Sequence, residues 1–112
     1  MPNLKELYCS NKQLTSLPTY PNLQWLYIVN NKLTSLPLYP NLKELSCRCN
    51  QLTSLFNYPN LEKLYCQSNL LTSLPFCLKL KIIACQNNKI TSLPDYQNLK
   101  TFFGDGNPII YN

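Results

Sequence analysis

The sequence predicts a solenoid: six short parallel strands on a concave face, an irregular, extended return on the convex side, and little or no helix. Three observations carry that expectation. The chain repeats itself every 19 residues, without insertion or deletion. Leucines recur at fixed places in each unit, and the last inward pair is two residues apart, the period of a strand. Seven prolines (Pro18, Pro21, Pro37, Pro40, Pro59, Pro75 and Pro94) fall in the other half of the units, where they disfavour helix. One such unit cannot bury its apolar face alone, but stacked neighbours can.

The units follow in order. Residues 2–20 read PNLKELYCSNKQLTSLPTY, 21–39 PNLQWLYIVNNKLTSLPLY and 40–58 PNLKELSCRCNQLTSLFNY. Residues 59–77 read PNLEKLYCQSNLLTSLPFC, 78–96 LKLKIIACQNNKITSLPDY, and the partial sixth, 97–112, QNLKTFFGDGNPIIYN. Together they make one domain over residues 1–112. Four inward columns result. Leu4, Leu23, Leu42, Leu61, Leu80 and Leu99 form the first. Leu7, Leu26, Leu45, Leu64, Ile83 and Phe102 form the second. Leu14, Leu33, Leu52, Leu71, Ile90 and Ile109 form the third, and Leu17, Leu36, Leu55, Leu74 and Leu93 the fourth.

Asn31, Asn50, Asn69, Asn88 and Asn107 share one position just after the strand. A buried amide offers two donors and an acceptor with two lone pairs, enough to bridge the turns of adjacent rungs. Lys12 holds that position in the first unit and cannot accept, so the first rung is expected to be frayed or shifted. Tyr20, Tyr39, Tyr58 and Tyr96 are expected to pack along the return side.

The unit LxxLxCxxNxLTSLPxYPN resembles the leucine-rich repeat, whose core is LxxLxLxxNxL. The resemblance covers essentially the whole chain in one register. It implies a right-handed solenoid and a protein-binding module. The Leu-Pro pair is similar to the short repeats of some bacterial effectors. The cysteine, the Tyr-Pro-Asn junction and the richness in Asn, Lys and Tyr resemble repeats encoded by large DNA viruses of amoebae.

Composition narrows the chemistry. There is no His, which excludes His-based triads, His general bases and HExxH zinc sites. Gly104 and Gly106 are the only glycines, so there is no P-loop or dinucleotide-binding fingerprint. An enzyme is not expected, nor a cofactor or a metal. No apolar run reaches the length of a membrane span, and the first thirty residues lack a signal-peptide pattern. The expected location is the cytoplasm, that of a host if the source is viral, and Met1 is read as a native start. The net charge of +5 comes from ten Lys and Arg against five Asp and Glu. All but Arg48 are scattered lysines, which argues for solubility rather than a nucleic-acid stripe.

Cys9, Cys47, Cys66 and Cys85 share one inward position with Ile28 and Gly104, and read as small buried hydrophobes. Cys47, Cys66 and Cys85 stand on consecutive rungs, within disulfide reach, but no secretion signal places them in an oxidising compartment. Cys49 is expected to be partly exposed beside Arg48, and Cys77 to pack in place of a tyrosine.

Residues flanking the second leucine point outward. The central outward column is Tyr8, Tyr27, Ser46, Tyr65, Ala84 and Phe103. Before it runs Glu6, Trp25, Glu44, Lys63, Ile82 and Thr101; after it Ser10, Val29, Arg48, Gln67, Gln86 and Asp105. Exposed aromatics and arginine are typical of binding hot spots. Tyr8, Trp25, Tyr27, Val29, Arg48, Lys63, Tyr65 and Gln67 are therefore the candidate partner-binding residues. Glu44 is expected to pair with Lys63, and Lys43, Glu62 and Lys81 to alternate as a mild charge ladder. A second expectation concerns the ends. No capping segment is evident, and the last unit is greasy. Phe103, Ile109, Ile110 and Tyr111 are thus candidates for self-association as a homodimer or a self-assembling component of a particle or viral factory.

Overall fold

A computed structural model describes residues 3–110. Six three-residue strands, β1 (Glu6–Tyr8), β2 (Trp25–Tyr27), β3 (Glu44–Ser46), β4 (Lys63–Tyr65), β5 (Ile82–Ala84) and β6 (Thr101–Phe103), form one parallel sheet in chain order. Each residue pairs with the one 19 further on: Glu6 with Trp25, Leu26 with Leu45, Tyr65 with Ala84. Among the described residues there is no helix. The result is a parallel β-solenoid measuring 46 × 28 × 17 Å.

The four inward columns make the core. Leu23, Leu26, Leu42, Leu45, Leu61, Leu64, Leu80 and Ile83 are fully buried, with Leu33, Leu52, Leu71 and Ile90 beside them. The end rungs are covered on one side only, so Leu4, Leu7, Leu14, Leu99, Phe102 and Ile109 are half-buried. In the last rung Phe102 replaces an aliphatic residue, and Gly104 replaces the usual Cys. A Cβ on Gly104 would stand 2.5 Å from the Phe102 ring, so the larger ring requires the smaller neighbour.

The asparagine ladder holds the turns. Asn69 donates its amide to the carbonyls of Cys47 (3.0 Å) and Cys66 (3.2 Å) and accepts from the Leu52 N–H at 3.0 Å. Asn50 and Asn88 repeat the pattern one rung to either side. The first rung is neither frayed nor shifted in its strand, since β1 pairs in register with β2. Its departure lies in the turn. Asn31 Oδ1 accepts from both Lys12 N and Leu14 N, and Gln13 has a left-handed backbone (φ 55°). Because Lys12 supplies a backbone donor there, its side chain need not enter the ladder.

Buried hydroxyls bind the return side. Tyr39 donates to the Pro18 carbonyl at 2.9 Å and Tyr58 to that of Pro37 at 3.0 Å; Tyr96 reaches Pro75 in the same way. Where Cys77 replaces the tyrosine, Phe56 stands in place of the proline whose carbonyl the hydroxyl would meet. The Phe56 carbonyl instead accepts from the Tyr58 N–H at 3.0 Å. The two departures from the repeat are thus one coordinated change.

Candidate functional site

The concave sheet presents the expected outward columns, because residues on either side of each buried Leu26-type position must face away from the core. Tyr8 and Tyr27 stack in parallel, 4.6 Å between centroids and 6° between planes. Tyr8 also donates its hydroxyl to Glu6. The patch is less open than the sequence implies. Tyr8 and Phe103 are more than half exposed, whereas Trp25, Tyr27, Val29, Tyr65 and Gln67 are half-buried. Ser46 and Ala84, in the same central column, are buried at 8% and 3% exposure. Neighbouring rings shade these small side chains. Arg48 and Lys63 are exposed.

Two shallow depressions mark the face. One, of about 250 Å³, is lined by Tyr27, Glu44, Ser46, Arg48, Tyr65 and Gln67. The other, of about 170 Å³, lies beside Trp25 among Lys43, Glu44, Glu62 and Lys63. Six of the eight candidate partner-binding residues therefore gather on these two hollows. Val29 and Tyr8 lie at their margin.

The electrostatics correct one expectation. The ion pair that forms on this flank is Lys81 with Glu62, at 3.5 Å. Glu44, although in register with Lys63, turns to Tyr27. Burial raises the Tyr27 hydroxyl above its usual range, and the hydrogen bond to Glu44 raises it further, so the phenol stays protonated. Gln67 and Gln86 each keep an amide oxygen buried without a hydrogen-bond partner.

The cysteines remain free thiols. Cys47, Cys66 and Cys85 are buried, and burial pushes Cys47 up to about 12 and Cys85 to about 11. Cys66 is raised as well, by burial and then by its two neighbours. Such thiols are poor nucleophiles at neutral pH. Cys9 is only half-buried, since no rung covers its outer side. Cys77 is buried and Cys49 exposed. Among the described residues no three metal-ligating side chains come together, and no helix is long and apolar enough to cross a membrane.

At the far end, Ile110 is 71% exposed and Phe103 52%. Ile109 is partly buried against the core, as its column position requires. Tyr111 lies outside the described residues. Two features went unread in the sequence. Asn11, Asn30, Cys49, Ser68, Asn87 and Gly106 all have positive φ, between 58° and 79°. The recurrence of Asn with one Gly at a single position was the available signal. Leu38, Phe56, Phe76 and Leu78 leave large apolar side chains exposed on the convex side. For Phe56 the signal was the break of the Leu-Pro pair.

A family model described as leucine rich repeats matches residues 21–58 and 59–102, each with two copies. No curated protein matches the chain.

Proposed function

Because the chain belongs to the leucine-rich repeat family, whose repeats generally mediate protein–protein interaction, we propose that it binds a protein partner through the aromatic concave face. The carrying observation is the gathering of Tyr8, Trp25, Tyr27 and Tyr65 on the sheet, beside Arg48 and Lys63, around two hollows. A surface built only to bury apolar area would not place its single tryptophan outside the core. The family's usual role as an interaction module also favours a non-enzymatic protein. We place it in the cytoplasm, where three thiols on consecutive rungs would stay free as they are here; a viral source would make that the host's cytoplasm.

The test is capture of partners from a cell lysate by the wild type and by Trp25→Ala/Tyr27→Ala, with circular dichroism to confirm that the variant folds. Affinity for the retained partner should fall at least about thirtyfold, from roughly 2 kcal/mol for a hot-spot side chain. Unchanged capture by the folded variant would remove the concave face from the reading.

A second reading is self-assembly, as a structural component, through the last rung. The 71% exposure of Ile110 and the 52% exposure of Phe103, both in the last unit, favour it. Light scattering should then show a concentration-dependent dimer that Ile110→Asp reduces to monomer. A monomer at all concentrations would exclude it.

A further inference from the structure

Independently of the concave face and of the last rung, we propose that the return side is a dimer interface. A second copy of this chain docks on it across a two-fold axis at Asn57, and Leu78 of each copy sits in a hollow of the other.

Charge points to this side. The chain carries ten cations and five carboxylates, yet residues 14–20, 33–39, 52–58 and 71–77 carry none, and 90–96 carry Asp95 alone. Depletion of charge marks the core of protein interfaces. The same stretch leaves Leu38, Phe56 and Phe76 about half exposed, and Leu78, at its border, more so. Taking about 200 Å² for a large side chain, the four together offer roughly 400 Å² of apolar surface. A standard interface buries about 800 Å² per partner, a little over half of it apolar. A second copy presenting the same four therefore supplies nearly the whole apolar share that a stable dimer needs.

The surface is also its own complement. The residue two past each fourth-column leucine is, unit by unit, Thr19, Leu38, Asn57, Phe76 and Asp95. A two-fold axis at the third unit reverses that order in the partner. Leu38 then faces the partner's Phe76, Thr19 faces the partner's Asp95, and Asn57 faces its own copy. Apolar meets apolar, a hydroxyl meets a carboxylate, and an amide that both donates and accepts meets itself. Gln97 Nε2 donates to Asp95 Oδ2 at 3.1 Å, which leaves Oδ1 for the hydroxyl. Because both copies share one repeat, the match needs only even stacking. Bridges between units hold that stacking on this side: Phe76 N–H donates to Asn57 Oδ1 at 2.9 Å, and the Tyr58 hydroxyl to the Pro37 carbonyl at 3.0 Å.

The same operation fits knob to hole. A hollow of about 330 Å³ is lined by Ser16, Leu17, Ser35, Leu36, Pro37 and Phe56. Leu36 and Pro37 stand two and one residues before Leu38. Reversed by the axis, they meet the residues two and one places after the partner's Phe76, which are Leu78 and the buried Cys77. Leu78 is the most exposed of the four apolar side chains. A cavity of roughly 150 Å³ suffices for a benzene ring, so the hollow takes an isobutyl group with room to spare. Both seats form at once, so the contact closes at two copies and does not propagate.

The test is sedimentation equilibrium of the full chain from micromolar to millimolar concentration, with circular dichroism to confirm that each variant folds. The wild type should be a concentration-dependent dimer. Leu78→Asp should weaken it about a thousandfold, since a hot-spot loss of about thirtyfold is incurred in both seats. Leu38→Asp removes the neighbouring contact and decides the matter if the first variant misfolds. Thr19 tests the register. Thr19→Asp sets two carboxylates against each other at both ends of the interface and should weaken the dimer about tenfold; Thr19→Lys should tighten it by a similar factor. Within one chain Thr19 and Asp95 lie four rungs apart, roughly 19 Å, well beyond the Debye length of about 8 Å. Net charge alone would act the other way, because each copy carries +5. Ile110→Asp should leave the dimer intact. A monomer throughout, a dimer indifferent to both leucine variants, or one that Thr19→Asp tightens overturns the proposal. So does a dimer abolished by Ile110→Asp, which would place the contact at the last rung.

Discussion

Asn69→Ala is expected to lower the unfolding free energy by about 2–4 kcal/mol, on the rule that an orphaned buried donor costs about 1–3 kcal/mol and a further hydrogen bond lost about 1 kcal/mol. The side chain is 5% exposed. Its removal leaves Leu52 N–H without its acceptor, while the carbonyls of Cys47 and Cys66 keep the amides of Asn50 and Asn88. A domain of this size holds roughly 5–15 kcal/mol in all, so the loss is a substantial share of the total. Asn69→Asp separates the two halves of the amide. It keeps an acceptor for Leu52 N–H but loses the donor and buries a charge, and so should be at least as damaging. Asn107→Ala, in the half-buried last rung, should cost distinctly less. Urea denaturation of the three variants measures this. Equal losses for Asn69→Ala and Asn107→Ala would mean that the ladder is not a chain of buried bridges.

Alkali should unfold the protein with a midpoint between about pH 9.5 and 11. Burial raises Cys47 to about 12 and Cys77 and Cys85 to about 11, and raises Cys66 as well, from an ordinary thiol value of 9.0. A group whose native value is raised stabilises the fold fully below its unfolded value. That stability drains away as the pH climbs toward the native value, because only the unfolded chain ionises. The loss is about 1.4 kcal/mol per pH unit for each such thiol. Four thiols together reach on the order of 5–10 kcal/mol by pH 11. Tyr39, Tyr58 and Tyr96, whose buried hydroxyls are also raised, add to the slope above their ordinary value of 10.0. The check is urea stability at pH 7 and pH 10 for the wild type and for Cys47→Ala/Cys66→Ala/Cys85→Ala. The triple variant should be weaker at pH 7, yet lose less on going to pH 10. An equal loss in both proteins would show that the thiols are not the cause.

Translation by 19 residues was legible in the sequence, and with it nearly all of the fold. The register of Leu26 under Leu45, the bridging role of Asn50 and the inward Cys66 follow once the repeat is aligned, because every rung must meet the same neighbours. What escaped are properties that alignment treats as equal across rungs. Glu44 faces both Lys63 and Tyr27, and spacing alone cannot choose between them; the stacked ring beside it does. Ser46 reads as an exposed serine until the shade cast by Tyr27 and Tyr65 is counted. Cys9 and Cys47 hold the same position, yet only Cys47 has a rung on both sides. Lys12 looked disruptive because the side chain was judged, whereas the ladder uses its N–H.

Every rung is tied to the next about one repeat away, by bonds such as Cys47 N–H to Tyr65 carbonyl at 2.8 Å and Gln51 N–H to Leu33 carbonyl at 2.9 Å. Strands of three residues, with no helix beside them among the described residues, can hold no shape before a neighbour arrives. The first closure must therefore order two whole coils against chain entropy of about 1–2 kcal/mol per residue, with little local structure to help. Each later coil meets a finished template and orders only itself. Such a chain assembles like a crystal growing along one axis: nucleation is slow and rare, it starts best in the regular middle coils, and growth then runs quickly toward both ends.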